Sequence, residues 1–405
     1  MEYRKYVEKG LMPSRQAMKK LLRDRVSFKF QVEEVELMEA LNRIAAEDIA
    51  TRRMLPNLPV GKMDGIGVRA KDFETGMPDT YLWENGREYV FVNTGCSITA
   101  PYDTLILIED IDFIEGHLVI KKTPEPGQLV DPPGSSINDA EIILHKYQQI
   151  TPAAMGILAA GGVKRVAVIK KPKVVFIPTG DELAQWSIDN LPAGTNIESN
   201  GMMIYAFLKQ YQADPVIFPI VRDNKEALYD ALQQAAQQAD LILINAGSSK
   251  GTKDYTLDIL ENKGQVVVYE LGCRPGKHSS FSFFAGKPVL GMAGPPNGAE
   301  LAARFYVKTL LDNYYHQAEQ EAIIVEAVAE FSFKAPDNYD FCIQAHVYCK
   351  ENSYYVQRIN PKAVTRPQLL EKCNAYIYLP VSKEVHLGDK LTAELIVGKE
   401  VLGTE

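Results

Sequence analysis

Between residues 172 and 315 the chain alternates apolar strands with helical segments, and its polar residues collect at the strand exits. VVFIPTGDEL, from Val174 to Leu183, is an apolar run that breaks into Thr179-Gly180-Asp181-Glu182. LILINAGSSKGTKDY, from Leu241 to Tyr255, breaks into a Gly/Ser loop with Asp254 beyond it. GCRPGKHSSF adds a basic turn holding Arg274 and Lys277, and VLGMAGPPNGA ends in Gly294-Pro295-Pro296. This alternation predicts a three-layer α/β domain with a largely parallel sheet. In open sheets of that class, ligands bind outside the carboxyl ends of the strands. Four exits bearing two carboxylate clusters, glycines and a Lys/Arg pair describe a pocket for a phosphorylated ligand and a divalent cation.

The strands are expected at about 174–178, 216–220, 241–245, 266–270 and 288–292. The helices between them are expected at about 200–211, 224–238, 254–262 and 298–314. Helical patterning also covers residues 14–50, and resumes from Asp139 to Ala160. Short β runs separated by Gly, Pro and Asn fill 64–135, and similar runs fill 322–405. The expected layout is therefore multidomain α/β. Residues 1–52 and 139–171 make a split helical domain, 53–138 an inserted β domain, 172–316 the α/β domain, and 317–405 a C-terminal all-β domain.

Hydrophobic residues at 46% and charged residues at 24% fit a globular protein, and no run approaches the ~18 apolar residues of a membrane span. The opening MEYRKYVEKG is charged and lacks a signal-peptide core, so a cytoplasmic protein is expected. A net charge of −8 argues against bulk nucleic-acid binding, so an anion site must concentrate positive charge locally. Five cysteines without a CxxC spacing indicate neither a disulfide framework nor a zinc site, and buried free thiols are expected.

Each motif has two readings. The Thr179-Gly180-Asp181-Glu182 turn exposes backbone N–H groups, and its carboxylates suit hydrated Mg²⁺; it also suits a helix-start turn. Gly247-Ser248-Ser249-Lys250-Gly251 offers N–H and hydroxyl donors to an oxyanion without the Walker A spacing. Asp254 reads as a ligand-facing carboxylate or an N-cap. Arg274 and Lys277 flank a Pro-Gly turn that either binds phosphate or molybdate, or is a solvated hairpin. Gly294 and Pro296 open a helix whose N-terminus favours an anion, although Pro there also follows from geometry. Asp64 and Thr94 lie in turn dipeptides of the first β region.

Taken in order, MDG at 63–65, NTG at 93–95, PTGDEL at 178–183, ESN at 198–200, RDN at 222–224, GSSKGTKDYT at 247–256, RPGK at 274–277 and GMAGPPNGA at 291–299 resemble one family. It is the molybdopterin molybdenumtransferases, comprising bacterial MoeA and the gephyrin E domain. The resemblance implies insertion of molybdate into adenylylated molybdopterin with release of AMP, supported by Mg²⁺. It implies an elongated homodimer whose cleft lies between the α/β domain of one chain and the β region of its partner. Carried over, Glu182, Asp223 and Asp254 surround the nucleotide phosphates, with Glu182 and Asp254 as the metal ligands. Asp64 and Thr94 complete the cleft from the partner. Ser249, Arg274 and Lys277 bind oxyanions, beside Thr179, Gly180, Gly247, Ser248, Gly294 and Pro296. An adenylyltransferase supplying the substrate and molybdoenzymes receiving the product are the implied partners.

The chain departs from the family pattern at several positions. A serine is replaced by Gly298, an arginine falls near Cys342, the acids of a GED motif become Ser135-Ser136, and a serine-glycine loop reads Arg366-Pro367-Gln368. The nucleotide end of the site is thus better kept than the molybdate end. Two alternatives follow from these departures and from the α/β domain: a non-catalytic protein that binds or delivers the pterin cofactor, and a molybdopterin adenylyltransferase. Arg366 is a candidate to reach the same anion from the C-terminal domain.

Overall fold

The computed structural model describes residues 12–245, 255–319 and 322–396. The fold is mixed α/β, and the chain divides into two compact units, Gln31–Lys170 and the remainder.

The larger unit is built on a six-stranded sheet. Its spatial order is Asp214–Ile217, Lys173–Pro178, Leu241–Asn245, Lys287–Met292, Ser280–Phe284, Gln265–Val268. The first four strands run parallel, and the last two joints are antiparallel. Central parallel strands are covered on both faces, which is why they read as unbroken apolar runs. Alternation then divides them: Val174, Phe176, Leu241 and Leu243 face one core, while Val175, Ile177, Ile242 and Ile244 face the other. The Lys225–Gln238 helix covers the second face with Leu228, Leu232 and Ala235, and Asn224 caps it by accepting from Glu226 N and Ala227 N.

Ser280–Phe284 lies outside the expected strands. It forms a hairpin with Lys287–Met292. Its alternate serines, Ser280 and Ser282, are buried, so the segment resembles a polar turn in sequence while lying inside the sheet.

The expected helical patterning at 14–50 and 139–160 is corrected. Only Arg15–Arg25 and Pro152–Ala160 are α-helical in those spans. Val32–Glu36 is instead a strand paired antiparallel with Arg165–Ile169, and Ile142–Leu144 pairs with Ile49–Ala50. The Arg15–Arg25 helix belongs to the larger unit, where Met18, Leu22 and Val26 enter the core containing Phe176 and Leu243. Its apolar stripe was legible, but a stripe does not say which surface it meets.

Five strands between Ile324 and Leu395 form a closed sheet. Asp340–Lys350 pairs with both Ser353–Arg358 and Ala375–Leu379, and Ile324–Ala329 and Lys390–Leu395 complete the ring. Alanines 327, 329, 345, 375 and 393 lie in its tight interior. Cys273–Arg274 adds to Asp340–Phe341 at its edge, tying the basic turn to this sheet. The Arg366–Lys372 helix, absent from the sequence reading, starts in a capping box between Thr365 and Gln368.

The smaller unit contains a three-stranded sheet, in the order Val90–Val92, Gly65–Val68, Thr104–Leu107, and a hairpin of Ile111–Ile114 with His117–Ile120. A second core gathers Ala40, Ala45, Ile49, Leu144, Leu158 and Val168.

Candidate functional site

A cavity of about 410 Å³ opens at the carboxyl ends of the parallel strands in the larger unit. Its wall carries Thr179, Glu182, Asn245, Gly294 and Pro296 from the strand exits, Glu198 and Asn200 from the start of a helix, His278 from the basic turn, and Arg366 from the C-terminal region.

The strand exits are fastened to one another by polar groups. Thr179 donates its hydroxyl to Asn245 O at 2.9 Å. The Asn200 amide donates to Asn245 Oδ1 at 2.7 Å and to Gly294 O at 2.8 Å, joining the three exits. Asn200 is 7% and Asn245 5% exposed, while Gly294 is half-buried at the cavity wall. Asn200 Oδ1 is buried without a hydrogen-bond partner among the described residues, which leaves an acceptor for a ligand N–H or O–H.

Gly180 turns at φ +147, and a Cβ there would come within 2.7 Å of the Glu182 carboxylate. The missing side chain lets Glu182 fold back over the turn at the cavity wall. Asp181 Oδ1 accepts the Asp223 N–H at 3.2 Å, and Arg222 donates to Asp181 O at 2.7 Å. Asp223 is thereby anchored beside the Thr-Gly-Asp-Glu turn, but it does not line the cavity.

The basic turn is divided between several partners. Arg274 lies over the Tyr339 ring, 4.5 Å from its centroid. Lys277 is 7% exposed, and its Nζ lies 3.5 Å from Glu270 Oε2. Neither is among the residues lining the cavity; the turn presents His278 there, with Nδ1 held at 2.9 Å by Glu270 Oε1. Gly298 packs against the same turn: a Cβ at 298 would meet Ala293 Cβ at 3.0 Å and Gly276 Cα at 3.3 Å. The lost serine therefore has a steric account, since the turn fills its space.

Cys342 is fully buried in the main core, and desolvation pushes its thiol well above the usual range. It offers no anion donor. The expectation of buried thiols holds for Cys273 and Cys342; Cys349 and Cys373 are half-buried, and Cys96 is exposed.

Asp64 and Thr94 sit in the smaller unit and contact each other: Asp64 Oδ1 accepts Thr94 N–H at 2.7 Å and Thr94 Oγ1 at 2.9 Å. Gly247, Ser248, Ser249 and Asp254 lie outside the described residues. No group of three or more His, Cys, Asp or Glu is arranged to hold a metal among the described residues. No helix among them is long and apolar enough to cross a membrane.

Sequence reasoning left Asn245 and His278 unassigned. Asn245 had one signal: a polar amide ends an otherwise apolar central strand. Asn200 and Glu198 stood in the ESN motif without a role.

Comparison with known proteins finds two matching regions. Residues 12–162 match a family described as "MoeA N-terminal region (domain I and II)", and residues 175–313 match "Probable molybdopterin binding domain". A protein of Haemophilus influenzae named molybdopterin molybdenumtransferase is 26% identical over 395 residues, covering 94% of this chain and 97% of that protein. One of the same name from Bacillus subtilis is 25% identical, covering 91% of each. The solved molybdopterin biosynthesis MoeA protein of Pyrococcus horikoshii superposes with a TM-score of 0.79 at 22% identity, covering 96% of this chain and 100% of that one.

Proposed function

The chain belongs to the MoeA family, and from that premise we propose that it inserts molybdate into adenylylated molybdopterin with release of AMP. It is a transferase of molybdenum cofactor biosynthesis. The observation carrying this reading is the cavity at the strand exits, where Thr179, Asn200 and Asn245 form a hydrogen-bonded floor, and His278 and Arg366 line a space with Glu182 at its edge.

The reaction breaks a phosphoanhydride P–O bond and leaves negative charge on the departing AMP. Preorganised donors in a partly enclosed site stabilise such charge without reorganising during the step. Arg366 contributes a fixed positive charge, and Thr179 holds its strand exit in place. The Asn200–Asn245–Gly294 bonds keep the exits at fixed spacing, so substrate groups meet a rigid floor.

We assign Mg²⁺ to the carboxylate side of the site, where Glu182 is the described donor. Glu182 is an oxygen donor lying on the cavity wall, and with Asp254 it would hold the cation; bound there, Mg²⁺ would neutralise phosphate charge. The second copy in a homodimer would supply Asp64 and Thr94. Gly298 and Cys342 leave the molybdate end dependent on Arg366 from the C-terminal β domain. The substrate comes from an adenylyltransferase, and the finished cofactor passes to molybdoenzymes.

The test is molybdate-dependent AMP release from adenylylated molybdopterin by the full chain. Turnover that needs molybdate supports the reading. Bound substrate without AMP release would overturn it.

A further inference from the structure

Beside the polar cavity lies a second recess of about 160 Å³ with a different character. Trp186, Met202, Tyr205, Ile217 and Phe218 line it. Several of these are unusually open for their type: Trp186 is 58% exposed and Met202 46%. Met202 and Tyr205 stand three residues apart on the Asn200–Gln210 helix and so share a face. An exposed apolar and aromatic patch of this kind marks a binding surface more often than a plain exterior.

One charged residue belongs to both spaces. Glu198 lines the polar cavity and the aromatic recess. It is 7% exposed, and its Oε1 accepts the Gly201 N–H at 2.8 Å. The bond fixes the carboxylate at the helix start, where Ser199 makes no side-chain cap. A Cβ on Gly201 would lie 2.6 Å from Glu198 Oε2, so the carboxylate rests directly over a position that has no side chain.

We propose that this recess seats the pterin ring of the substrate, an inference that rests on the molybdopterin reading above. The ring packs flat against Trp186 and Tyr205, and its 2-amino-4-oxo edge donates N–H groups to Glu198. The remainder of the molecule passes Glu198 into the polar cavity. The recess is smaller than the roughly 300–1,000 Å³ of a whole-ligand pocket, and suits one ring system. A carboxylate is acceptor-only, so it selects an edge carrying adjacent donors. The pterin edge offers two, the exocyclic amine and the neighbouring ring N–H. Adenine sets its amine beside an acceptor nitrogen, which a carboxylate repels. The pterin is therefore favoured over the AMP end.

Calorimetric titration of the full chain with 6-hydroxymethylpterin and, separately, with AMP tests the assignment. Trp186→Ala should weaken the pterin by about 10-fold or more, as loss of a stacking platform does, and leave AMP unchanged. Glu198→Gln should weaken the pterin by roughly 10-fold, because the amide N–H₂ opposes a donor edge. Trp186 is exposed, so its removal leaves the core intact, and circular dichroism should show an unaltered fold. Weakened AMP with unchanged pterin would overturn the proposal, as would undetectable pterin binding by the wild type. A changed oligomeric state in Trp186→Ala, read by light scattering with pterin affinity unchanged, would make the recess a subunit contact instead. The two levels of inference fail separately. Molybdate-dependent AMP release with pterin affinity insensitive to Trp186 sinks only the recess. Trp186-dependent pterin binding without AMP release sinks only the transferase reading.

Discussion

One carboxylate oxygen of Asp64 holds Thr94 twice, accepting its backbone N–H at 2.7 Å and its hydroxyl at 2.9 Å across a separation of 30 residues. The two turn dipeptides of the first β region are thus a single local structure. Hydrogen bonds from the Thr94 backbone N–H first, and then from its hydroxyl, hold the Asp64 carboxyl below its ordinary range. They favour the charged form. A group whose folded pKa is depressed adds stability above its unfolded value, and loses it as pH falls through the folded value. Asp64 is fully exposed, so the consequence to measure is the titration itself. Carboxyl carbon shifts followed against pH should place Asp64 below a free aspartate. Thr94→Val should move it part of the way back, since the backbone N–H remains. An unmoved midpoint would show that the hydroxyl bond is not formed in solution.

The thiols should separate by burial. Desolvation pushes Cys273 to about 12 and Cys373 to about 11, and raises fully buried Cys342 well above its usual value. The thiolate is the reacting form, so these groups are inert at neutral pH. Cys96 is exposed. A disulfide reagent at pH 8 should titrate Cys96 rapidly in the native protein, and Cys96→Ser should remove that phase. Cys273 and Cys342 should react only in denaturant. Fast labelling of Cys342 in the folded chain would contradict the core placement.

Asn200 should prove structural and functional at once. Asn200→Ala leaves the buried Asn245 Oδ1 and the half-buried Gly294 carbonyl without their donor. A buried unsatisfied group costs about 1–3 kcal/mol and the half-buried carbonyl can turn to water, so a loss of roughly 1–3 kcal/mol is expected in urea unfolding. AMP release should fall as well, through lost spacing of the strand exits. A stability change within about 0.5 kcal/mol, the range of ordinary surface substitutions, would mean the amide bonds are replaced by water.

These residues show how far the sequence was readable. Leu241–Asn245 and Lys287–Met292 were legible because a strand covered on both faces must be apolar throughout. Ser280–Phe284 was not, because buried Ser280 and Ser282 imitate a turn. The Arg366–Lys372 helix carried its signal in Thr365 and Gln368, a capping box that went unread. The Thr179–Glu182 and Gly294–Pro296 exits were found from their position after strands. The Asn200–Asn245 bond joins residues 45 apart, and no local pattern encodes such a pairing. Likewise nothing local separates His278, which reaches the cavity, from Lys277 beside it, which pairs with Glu270.

A cleft shared between two copies makes a definite mixing prediction. Light scattering should give a homodimer. Asp64→Ala and Glu182→Ala should each be inactive alone, since each spoils both clefts. Subunit exchange between them forms mixed dimers with one intact cleft, and random pairing should restore about one quarter of wild-type activity. No recovery after verified exchange would place both residues in the same cleft of one chain, or make Asp64 dispensable to the chemistry.

Arg366 bears most directly on the departures from the family pattern. Gly298 is packed against Gly276, and Cys342 is buried as a neutral thiol, so neither can donate to molybdate. Arg366 lines the cavity that also holds Thr179 and Glu182. It is exposed at the first position of its helix, and the cap is made by Thr365 and Gln368, so its truncation should leave folding unchanged. A charge-assisted hydrogen bond is worth about 1.5–3 kcal/mol, and 1.4 kcal/mol is tenfold in affinity. Arg366→Ala should therefore raise the molybdate concentration needed for half-maximal AMP release by roughly 10- to 100-fold. Arg366→Lys should fall between, because an ammonium keeps the charge but loses the bidentate fork. The affinity for adenylylated molybdopterin, measured without molybdate, should change less. If molybdate dependence is the same in all three proteins, the oxyanion is held elsewhere and Arg366 only borders the cavity. If instead substrate affinity collapses while molybdate dependence is retained, Arg366 belongs to the phosphate end.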